Sequence, residues 1–303
     1  MRVLISGAGG LVGSALSDFL MTRTIELVRL SRSDTRQGVS AVPWDPAAGH
    51  LPPDPIEGFD AVIHLAGEGI ASGRWTAAKK KRIRDSRVQG TRLLAETLAR
   101  CERRPDVLIC ASAIGYYGDR SDEVVDEESG PGQGFLAEVV REWEAASKPA
   151  ADAGIRVVHL RLGVVLSPSG GALAQMLLPF RLGLGGPVGS GRQYMSWVTL
   201  RDVVEVIDHA MTDDSIRGPI NVVAPTPVTQ REFARALGRV LNRPAILPLP
   251  AWAVRLLLGE MGQELLLSST RVRPARLVAS DYHFEHDDLP TALTELLTDG
   301  GIG

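Results

Sequence analysis

The segment Val3-Leu-Ile-Ser-Gly-Ala-Gly-Gly-Leu-Val-Gly-Ser-Ala-Leu-Ser-Asp-Phe-Leu20 combines two patterns. Its first four residues predict a β-strand, and the apolar spacing of its last ten predicts a helix. Between them, Gly7, Gly10 and Gly13 follow a Gly-x-x-Gly-x-x-Gly arrangement. Glycine permits a tight turn and a close approach to a pyrophosphate, and a helix N-terminus offers free N–H groups to an anion. We therefore predict a dinucleotide-binding loop, with a plain tight turn as the alternative.

Strand-like and helix-like segments alternate beyond this unit. Short aliphatic runs predict strands, and helical apolar spacing predicts helices between them. The predicted strands are 25–30, 61–65, 107–110 and 157–162, and the predicted helices are 82–100 and 135–147. Alternating βαβ units form a parallel sheet with helices on both faces. The sequence therefore predicts an α/β fold, a Rossmann doubly wound parallel sheet.

The pattern changes after about residue 166, where glycines and prolines cluster around one short predicted helix. Further on, Thr229 and Glu232 form a capping-box pattern that opens a predicted helix. We predict an NADP-binding domain from 1–165 plus about 200–223. A smaller, mostly helical C-terminal lobe, from about 166–199 plus 224–303, would cover the substrate.

The composition excludes several classes of protein. The chain has 33 Lys and Arg against 36 Asp and Glu, a net charge of −3, which argues against nucleic-acid binding. A hydrophobic fraction of 44% is typical of a globular core. Cys101 and Cys110 have neither disulfide-framework nor metal-site spacing. No signal peptide and no apolar run of about 18 residues is evident, so we expect a cytoplasmic protein without membrane contact.

The end of the second predicted strand bears on the choice of cofactor. An acidic residue there binds ribose hydroxyls, whereas an arginine neutralises a 2′-phosphate. Ser31 and Arg32 occupy this place, and no acidic residue follows before Asp34. This predicts NADP(H) over NAD(H), with a solvated loop arginine as the alternative for Arg32.

Several segments together resemble the extended short-chain dehydrogenase/reductase superfamily. They are Ser6–Gly13, Phe59–Gly67, Gly90–Leu94, Ala111–Gly118 and Leu160–Pro168. A narrower resemblance is to its atypical nucleoside-diphosphate-sugar epimerase-like, or SulA-like, branch. That resemblance is carried by Leu65–Glu68, Arg74–Thr76, Leu178–Gly186, Gly189–Gly191 and Pro225–Val228. It implies a Rossmann domain with NADP bound across the carboxyl ends of the strands.

The resemblance also implies which residues line the cofactor. Arg87 would reach it from a helix, with a surface cation as the alternative, and the backbone of Val165 would meet the nicotinamide carboxamide. The residues expected at the cofactor are Gly7, Gly10, Leu11, Val12, Gly13, Ser31, Arg32, Leu65, Ala66, Gly67, Glu68, Arg87, Ser112 and Val165. The basic run from Lys79 to Arg84 is expected to be a solvated helix face, with a phosphate clamp as the alternative.

The usual catalytic pattern of the superfamily is missing. That pattern is a Tyr with a Lys four residues later, which exchange a proton while nicotinamide exchanges hydride. No Tyr-x-x-x-Lys occurs in this sequence, and alignment places Leu136 and Val140, or Phe135 and Val139, at those positions. The nearest catalytic candidates, after the predicted strand 107–110, are Ser112, Tyr116 and Tyr117. Packing under the nicotinamide is the alternative for both tyrosines, since no lysine is placed to activate them.

The remaining candidates concern the substrate. Arg192 and Trp197 lie in the glycine-rich segment between the lobes, where Arg192 would meet an anion and Trp197 would stack. Packing alone would also explain Trp197. His64 is expected to be a hydrogen-bonded core histidine, and Asp202 to cap the helix that follows it.

These observations favour an NADP-binding oxidoreductase or nucleotide-sugar epimerase-like enzyme that acts on an unidentified small molecule. The missing Tyr and Lys support the alternative, a non-catalytic NADP-binding regulatory or interaction protein, and the SulA-like branch name suggests cell division. Homodimers through paired helices are common in the superfamily, so a homodimer is implied as well.

Overall fold

The computed structural model describes residues 1–32 and 40–298. The strands in these ranges are β1 (Arg2–Ser6), β2 (Glu26–Ser31), β3 (Ala41–Pro43), β4 (Ala61–His64), β5 (Val107–Ala113), β6 (Val124–Val125), β7 (Arg156–Leu162), β8 (Val164–Ser167), β9 (Tyr194–Met195), β10 (Trp197–Thr199), β11 (Gly218–Val222), β12 (Val228–Thr229) and β13 (Arg271–Val272). The α-helices are α1 (Leu11–Met21), α2 (Ala77–Arg100), α3 (Phe135–Ala145), α4 (Lys148–Asp152), α5 (Gly171–Arg181), α6 (Leu200–Thr212), α7 (Gln230–Val240), α8 (Ala251–Leu258), α9 (Glu260–Gly262), α10 (Ala275–Ala279) and α11 (Leu289–Thr298). Short 3₁₀ turns lie at Asp54–Ile56 and Ile114–Tyr117, and a π-helical turn lies at Gln263–Leu267.

Seven strands form one parallel sheet in the order β3-β2-β1-β4-β5-β7-β11. The chain proceeds from β1 through β2 to β3, and then crosses to β4 on the other side of β1. In open α/β sheets, ligands bind outside the carboxyl ends of the strands at such a switch point. The predicted Rossmann fold is therefore confirmed, and the switch point places Ser6 opposite His64.

Helices cover both faces of the sheet because its central strands are apolar on both sides. Val3 and Ile5 of β1 pack in one cluster with α1 and α6, whereas Leu4 packs in the opposite cluster with Leu94 and Leu98 of α2. All five side chains are fully buried. Burial of each contributes about 1.5–3 kcal/mol, so these two clusters hold the strand ends in place.

A separate apolar cluster lies in the smaller lobe and is built from α5, α7 and α11. Helix α7 begins with the predicted capping box, in which the Glu232 carboxylate accepts the backbone N–H of Thr229 at 2.7 Å. Leu277, Tyr282 and Phe284 instead pack against the cluster of the main sheet. Part of the segment assigned above to the smaller lobe therefore covers the sheet.

No helix in the described ranges combines the length and apolar character needed to cross a membrane. The same ranges contain no group of three or more His, Cys, Asp or Glu side chains that could hold a metal ion. Cys101 and Cys110 are free and buried. Burial raises the pKa of Cys110 to about 12, so its thiol stays protonated at neutral pH.

Candidate cofactor site and active site

The glycine loop lies at the switch point, between β1 and α1. Gly7 has a φ of +76°, and a Cβ at this position would lie 2.6 Å from the carbonyl carbon of Leu65. A Cβ at Gly13, in the first turn of α1, would overlap the carbonyl oxygen of Gly7. Glycine is therefore required at Gly7, where the loops after β1 and β4 touch backbone to backbone, and at Gly13, where α1 packs against the backbone of the glycine loop itself.

The N-terminus of α1 faces the same edge of the sheet. Gly10 is the N-cap residue, and no side chain caps the helix. The first-turn N–H groups of Leu11, Val12 and Gly13 have no acceptor within the helix. Space is open around Gly9, where an added Cβ would meet nothing within 4 Å. This arrangement fits the requirements of an anion, and specifically of a pyrophosphate.

The loop after β4, residues 65–68, runs beside the glycine loop and is held by Arg87 of α2. An Arg87 Nη1 donates to the carbonyl oxygen of Glu68 at 2.9 Å, and the guanidinium lies 5.0 Å over the Trp143 ring. Burial lowers the pKa of Arg87 to about 10, which leaves it charged at neutral pH. Arg87 is thus a half-buried cation next to Gly67, and the surface-cation alternative does not describe it.

The basic run at the start of α2 is not a uniformly solvated face, as the sequence had suggested. Lys79 is 6% exposed, and its Nζ donates to Glu68 Oε1 at 2.7 Å and to Ser72 Oγ at 2.8 Å. The hydrogen bond from Lys79 lowers the pKa of the Glu68 carboxyl. Lys80 pairs with Glu260 of α9 at 2.7 Å. The run therefore ties the loop after β4, and the smaller lobe, to α2.

The end of β2 lies next to the glycine loop because β2 pairs with β1. Ser31 closes the strand, and its carbonyl oxygen accepts the N–H of Trp44 at 3.0 Å. Arg32 follows and is exposed at this edge, whereas Asp34 lies outside the described residues. The structure brings Ser31 and Arg32 to the expected end of the site. That these residues favour NADP(H) over NAD(H) stays a prediction.

Val165 belongs to a separate two-stranded sheet formed by β8 and β10. It lies on β8, opposite Val198 of β10, and packs against the main apolar cluster. An added Cβ at Gly170, just after β8, would lie 3.1 Å from Leu11 Cδ1, so this segment contacts the start of α1. The contact of Val165 with the nicotinamide carboxamide stays a prediction.

A continuous polar network lies at the carboxyl ends of β5, β7 and β11. Arg161 of β7 donates to both oxygens of Glu144 in α3, from Nε and Nη2, at 2.9 Å each. Ser112 Oγ donates to Glu144 Oε1 at 2.6 Å. Arg161 Nη1 donates to the Tyr117 hydroxyl at 2.9 Å, and that hydroxyl donates to Asn221 Oδ1 at 2.8 Å. Every link is a hydrogen bond of ordinary length, and the Arg–carboxylate pair is bidentate.

Burial and the neighbouring groups determine which residues of the network are charged. Burial opposes ionisation of Glu144, but the hydrogen bond and charge of Arg161 outweigh it and lower the pKa of this carboxyl. Burial likewise opposes the charge of Arg161, yet Glu144 raises its pKa. Burial raises the pKa of Tyr117 to about 12. At neutral pH the network is therefore an ion pair joined to a neutral phenol.

The three predicted catalytic side chains have different surroundings. Ser112 is 2% exposed and Tyr117 is fully buried, and the network uses the hydroxyl proton of each. Tyr116 is half-buried, and its ring lies 3.6 Å from the guanidinium carbon of Arg161 and edge-on to Tyr117. Within residues 1–32 and 40–298, the Tyr116 hydroxyl has no hydrogen-bond partner. Of the three, Tyr116 is the one whose hydroxyl the network leaves unused.

Sequence reasoning missed Arg161, a buried cation whose guanidinium carbon lies 3.6 Å from the centroid of the Tyr116 ring. Its signal was a charged residue within an otherwise aliphatic strand, because a buried charge needs a partner. That partner is Glu144 of α3. The prediction that no lysine is placed near the tyrosines stands, but it overlooked this arginine.

The positions aligned with the missing Tyr and Lys lie on α3. Phe135 and Val139 pack in a small apolar cluster with Trp75, while Leu136 faces Gly115, where an added Cβ would lie 3.3 Å from its own. These positions hold apolar side chains that fix α3 against the rest of the protein. They offer no group for proton transfer.

The two residues predicted to contact substrate differ in exposure. Trp197 is fully buried, packs with Phe233, and donates its indole N–H to the carbonyl oxygen of Thr226 at 3.0 Å. Stacking on a substrate is wrong for Trp197, because β10 lies inside the molecule, and the packing alternative is correct. Arg192 is exposed, with its backbone N–H donating to Ser190 Oγ at 3.1 Å. Its contact with a substrate anion stays a prediction.

Two structural predictions can also be compared with the geometry. His64 is buried and shares a 2.6 Å hydrogen bond with Ser6 Oγ through Nδ1, which confirms it as a core histidine. The cap of α6 differs from the prediction, since Thr199 is the N-cap residue and its hydroxyl accepts the N–H of Asp202 at 3.1 Å. The Asp202 carboxylate accepts the N–H of Glu285 at 2.8 Å instead, and so ties α6 to the C-terminal segment.

Sequence comparison finds relatives that span nearly the whole chain. The model of the NAD-dependent epimerase/dehydratase family matches residues 3–223, and a domain of unknown function, DUF1731, matches residues 249–296. Epimerase family protein Mb2239 of Mycobacterium bovis is 42% identical over 291 residues, which is 96% of either chain. Human epimerase family protein SDR39U1 is 37% identical over 98% of this chain and 100% of its own length.

Solved structures give the same result. The crystal structure of human SDR39U1 (isoform 2) with NADPH superposes with a TM-score of 0.90 at 36% identity, over 99% of this chain and all of that chain. A nucleoside-diphosphate sugar epimerase from Corynebacterium glutamicum gives a TM-score of 0.80 at 37% identity, over 98% of this chain and 58% of that one. These matches confirm the resemblance that the sequence motifs carried.

Proposed function

Because the chain belongs to the NAD-dependent epimerase/dehydratase family, we propose that it is an NADP(H)-binding oxidoreductase or epimerase-like enzyme acting on a small molecule. The observation that carries this proposal is the uncapped N-terminus of α1, where Gly13 lets the helix approach Gly7 and Gly7 lets the glycine loop approach the loop after β4. The NADPH bound by the similar human protein supports the phosphorylated form of the cofactor.

Each part of the cofactor has a matching group in this chain. The N–H groups of Leu11 and Val12 would bind the pyrophosphate, and the exposed guanidinium of Arg32 would neutralise the 2′-phosphate. Residues 65–67 would pack against the cofactor with their backbone, while Val165 would orient the nicotinamide carboxamide. The reduced nicotinamide supplies hydride when bound. The chain must then supply a proton, and Ser112 and Tyr117 have theirs engaged in the network.

Cofactor titration tests the proposal directly. NADPH and NADH are each titrated into the purified protein, and binding is measured by nucleotide fluorescence and tryptophan quenching. We expect NADPH to bind at least ten-fold more tightly than NADH, because a guanidinium–phosphate pair contributes more than about 1.4 kcal/mol at such a site. Arg32→Ala should abolish most of that preference and leave NADH binding unchanged.

Arg104→Ala is the matched control, since Arg104 is also exposed but precedes β5 at the opposite edge of the sheet. Equal binding of both nucleotides by the wild type would remove the role of Arg32. Binding of neither nucleotide would overturn the proposed function.

A further inference from the structure

We propose that Tyr116 is the residue that exchanges a proton with the substrate, and that Arg161 is the positioning residue that replaces the missing lysine. This inference rests on the proposed function, since it assumes hydride transfer at the same edge of the sheet. It goes further in assigning the proton to one atom, the Tyr116 hydroxyl oxygen, and in giving the buried ion pair a role.

The assignment of Tyr116 follows from where each hydroxyl proton goes. Ser112 donates to Glu144, and Tyr117 donates to Asn221 while accepting from Arg161. Both side chains are at most 2% exposed, so a substrate oxygen cannot reach them. Tyr116 lies beside Tyr117 in the turn that follows β5. It is half-buried, and its hydroxyl has no hydrogen-bond partner among the described residues.

The role of Arg161 follows from how rigidly it is held. Two hydrogen bonds to Glu144 and one to Tyr117 fix the plane of its guanidinium. The face of that guanidinium lies 3.6 Å from the ring centroid of Tyr116, a cation–π contact at short range. A lysine ammonium would rotate freely, whereas this fork sets both the ring orientation and the local positive charge. Strand β7 and helix α3 therefore position Tyr116 together.

The chemical step balances with groups that are already named. In carbonyl reduction, the substrate carbon accepts hydride and the C=O electron pair moves to oxygen. That oxygen takes the proton of Tyr116 as the phenolic O–H bond breaks. The phenolate that remains is stabilised by the adjacent charge of Arg161, and solvent returns the proton because Tyr116 is partly exposed. Oxidation of an alcohol runs through the same atoms in reverse.

A chemical probe locates Tyr116 without any knowledge of the substrate. The protein is treated with tetranitromethane, with and without saturating NADP⁺, and nitrated tyrosines are mapped by mass spectrometry. We expect Tyr116 to be nitrated in the free protein and protected at least five-fold by NADP⁺, whereas buried Tyr117 should not react. Tyr194 is the internal control, because it is also half-buried beneath an arginine, Arg271, at 4.6 Å.

The same experiment separates the two proposals. Failure of NADP⁺ and NADPH to bind in the titration would overturn the proposed function. Normal binding without protection of Tyr116 would overturn the present assignment and leave the proposed function standing.

Kinetics with a panel of aldehydes and ketones tests the proton transfer itself. Tyr116→Phe should lower kcat by about 10²- to 10⁴-fold with NADPH affinity within two-fold of the wild type. Tyr194→Phe should leave kcat unchanged. Turnover by Tyr116→Phe at the wild-type rate would contradict the role of Tyr116.

Arg161→Lys keeps the charge and tests positioning. It should lower kcat at least ten-fold with KM and NADPH affinity nearly unchanged, and a shift in the pH profile of kcat should accompany the loss. A merely structural arginine would change the melting temperature and leave kcat of the folded protein intact. If Arg161→Lys does not fold, the double variant Arg161→Met/Glu144→Gln removes both charges together and avoids an unpaired buried carboxylate.

Discussion

His64 ends β4 next to the glycine loop, and its imidazole is fully buried beside Ser6 and Trp44. Its Nε2 has no hydrogen-bond partner among the described residues. Burial lowers the pKa of His64 from 6.5 to about 4, because the charged ring is poorly solvated. A lowered pKa gives stability that is present above the unfolded value and lost as the pH falls toward the folded value. We predict that His64 lowers the free energy of unfolding by about 3 kcal/mol as the pH falls from 6.5 to 4.

Urea unfolding at a series of pH values measures this loss. The wild type should lose stability steeply in this window, and His64→Leu should flatten the slope because leucine takes up no proton. His50→Leu, at an exposed position, should keep the wild-type slope. A steep slope that persists in His64→Leu would assign the acid sensitivity to other groups.

Single residues also show what the sequence could and could not reveal. The requirement for glycine at positions 7 and 13 was predictable, since it follows from a local motif between a strand and a helix. The importance of Arg161 was not, because its meaning depends on Glu144, which only the fold brings within 2.9 Å. Trp197 was misplaced for a similar reason, since an aromatic residue in a glycine-rich segment gives no sign of its own burial.

At the level of elements, the N-terminus of α3 is capped by a residue from a distant part of the chain. Its N-cap residue is Gly134, which has no side chain to cap the helix. The Glu264 carboxylate instead accepts the N–H of Phe135 at 2.8 Å and that of Leu136 at 2.9 Å. A carboxylate at a helix N-terminus is favoured by hydrogen bonding and by the helix dipole. We predict that Glu264→Gln lowers the free energy of unfolding by about 1–2 kcal/mol.

Chemical denaturation of matched variants tests the cap. Glu260→Gln is the control, because Glu260 is also a glutamate of the smaller lobe but, within the described ranges, forms an ion pair only with Lys80 at the surface. That substitution should cost about 0–1 kcal/mol. A loss at Glu264 no greater than the loss at Glu260 would show that the cap adds nothing to stability.

The sequence-based prediction of elements was wrong or incomplete where the sequence is short or polar. Helix α2 begins at Ala77, well before the predicted start, because Thr76 caps it by accepting the N–H of Lys79 at 3.2 Å. The polar run after Thr76 has no apolar periodicity, so apolar spacing could not predict the first turns of α2. Strand β3 was missed because three residues at a sheet edge carry no alternating pattern.

At the scale of the whole molecule, the C-terminal segment joins the smaller lobe to the sheet. Strand β13 pairs with β6, which lies in the connection between β5 and α3. Glu127, 6% exposed, accepts the N–H of Asn221 on β11 at 2.8 Å and that of Ala275 on α10 at 3.1 Å. One carboxylate therefore bridges the last strand of the sheet and the returning chain, close to the polar network through Asn221.

This bridge predicts cooperative unfolding of the sheet and the C-terminal segment. Glu127→Ala leaves the buried N–H of Asn221 and the partly buried N–H of Ala275 without this acceptor, and we predict a loss of about 3 kcal/mol in the free energy of unfolding. Glu128→Ala is the adjacent control, since the Glu128 side chain is 81% exposed and, in the part of the chain that the structure describes, pairs only with Arg276. A loss of about 0–1 kcal/mol is expected there. Urea unfolding followed by tryptophan fluorescence and circular dichroism measures both variants. The wild type should unfold in one transition by both probes. Equally small losses of unfolding free energy in Glu127→Ala and Glu128→Ala would mean that the carboxylate bridge adds no stability of its own and that apolar packing holds the segment.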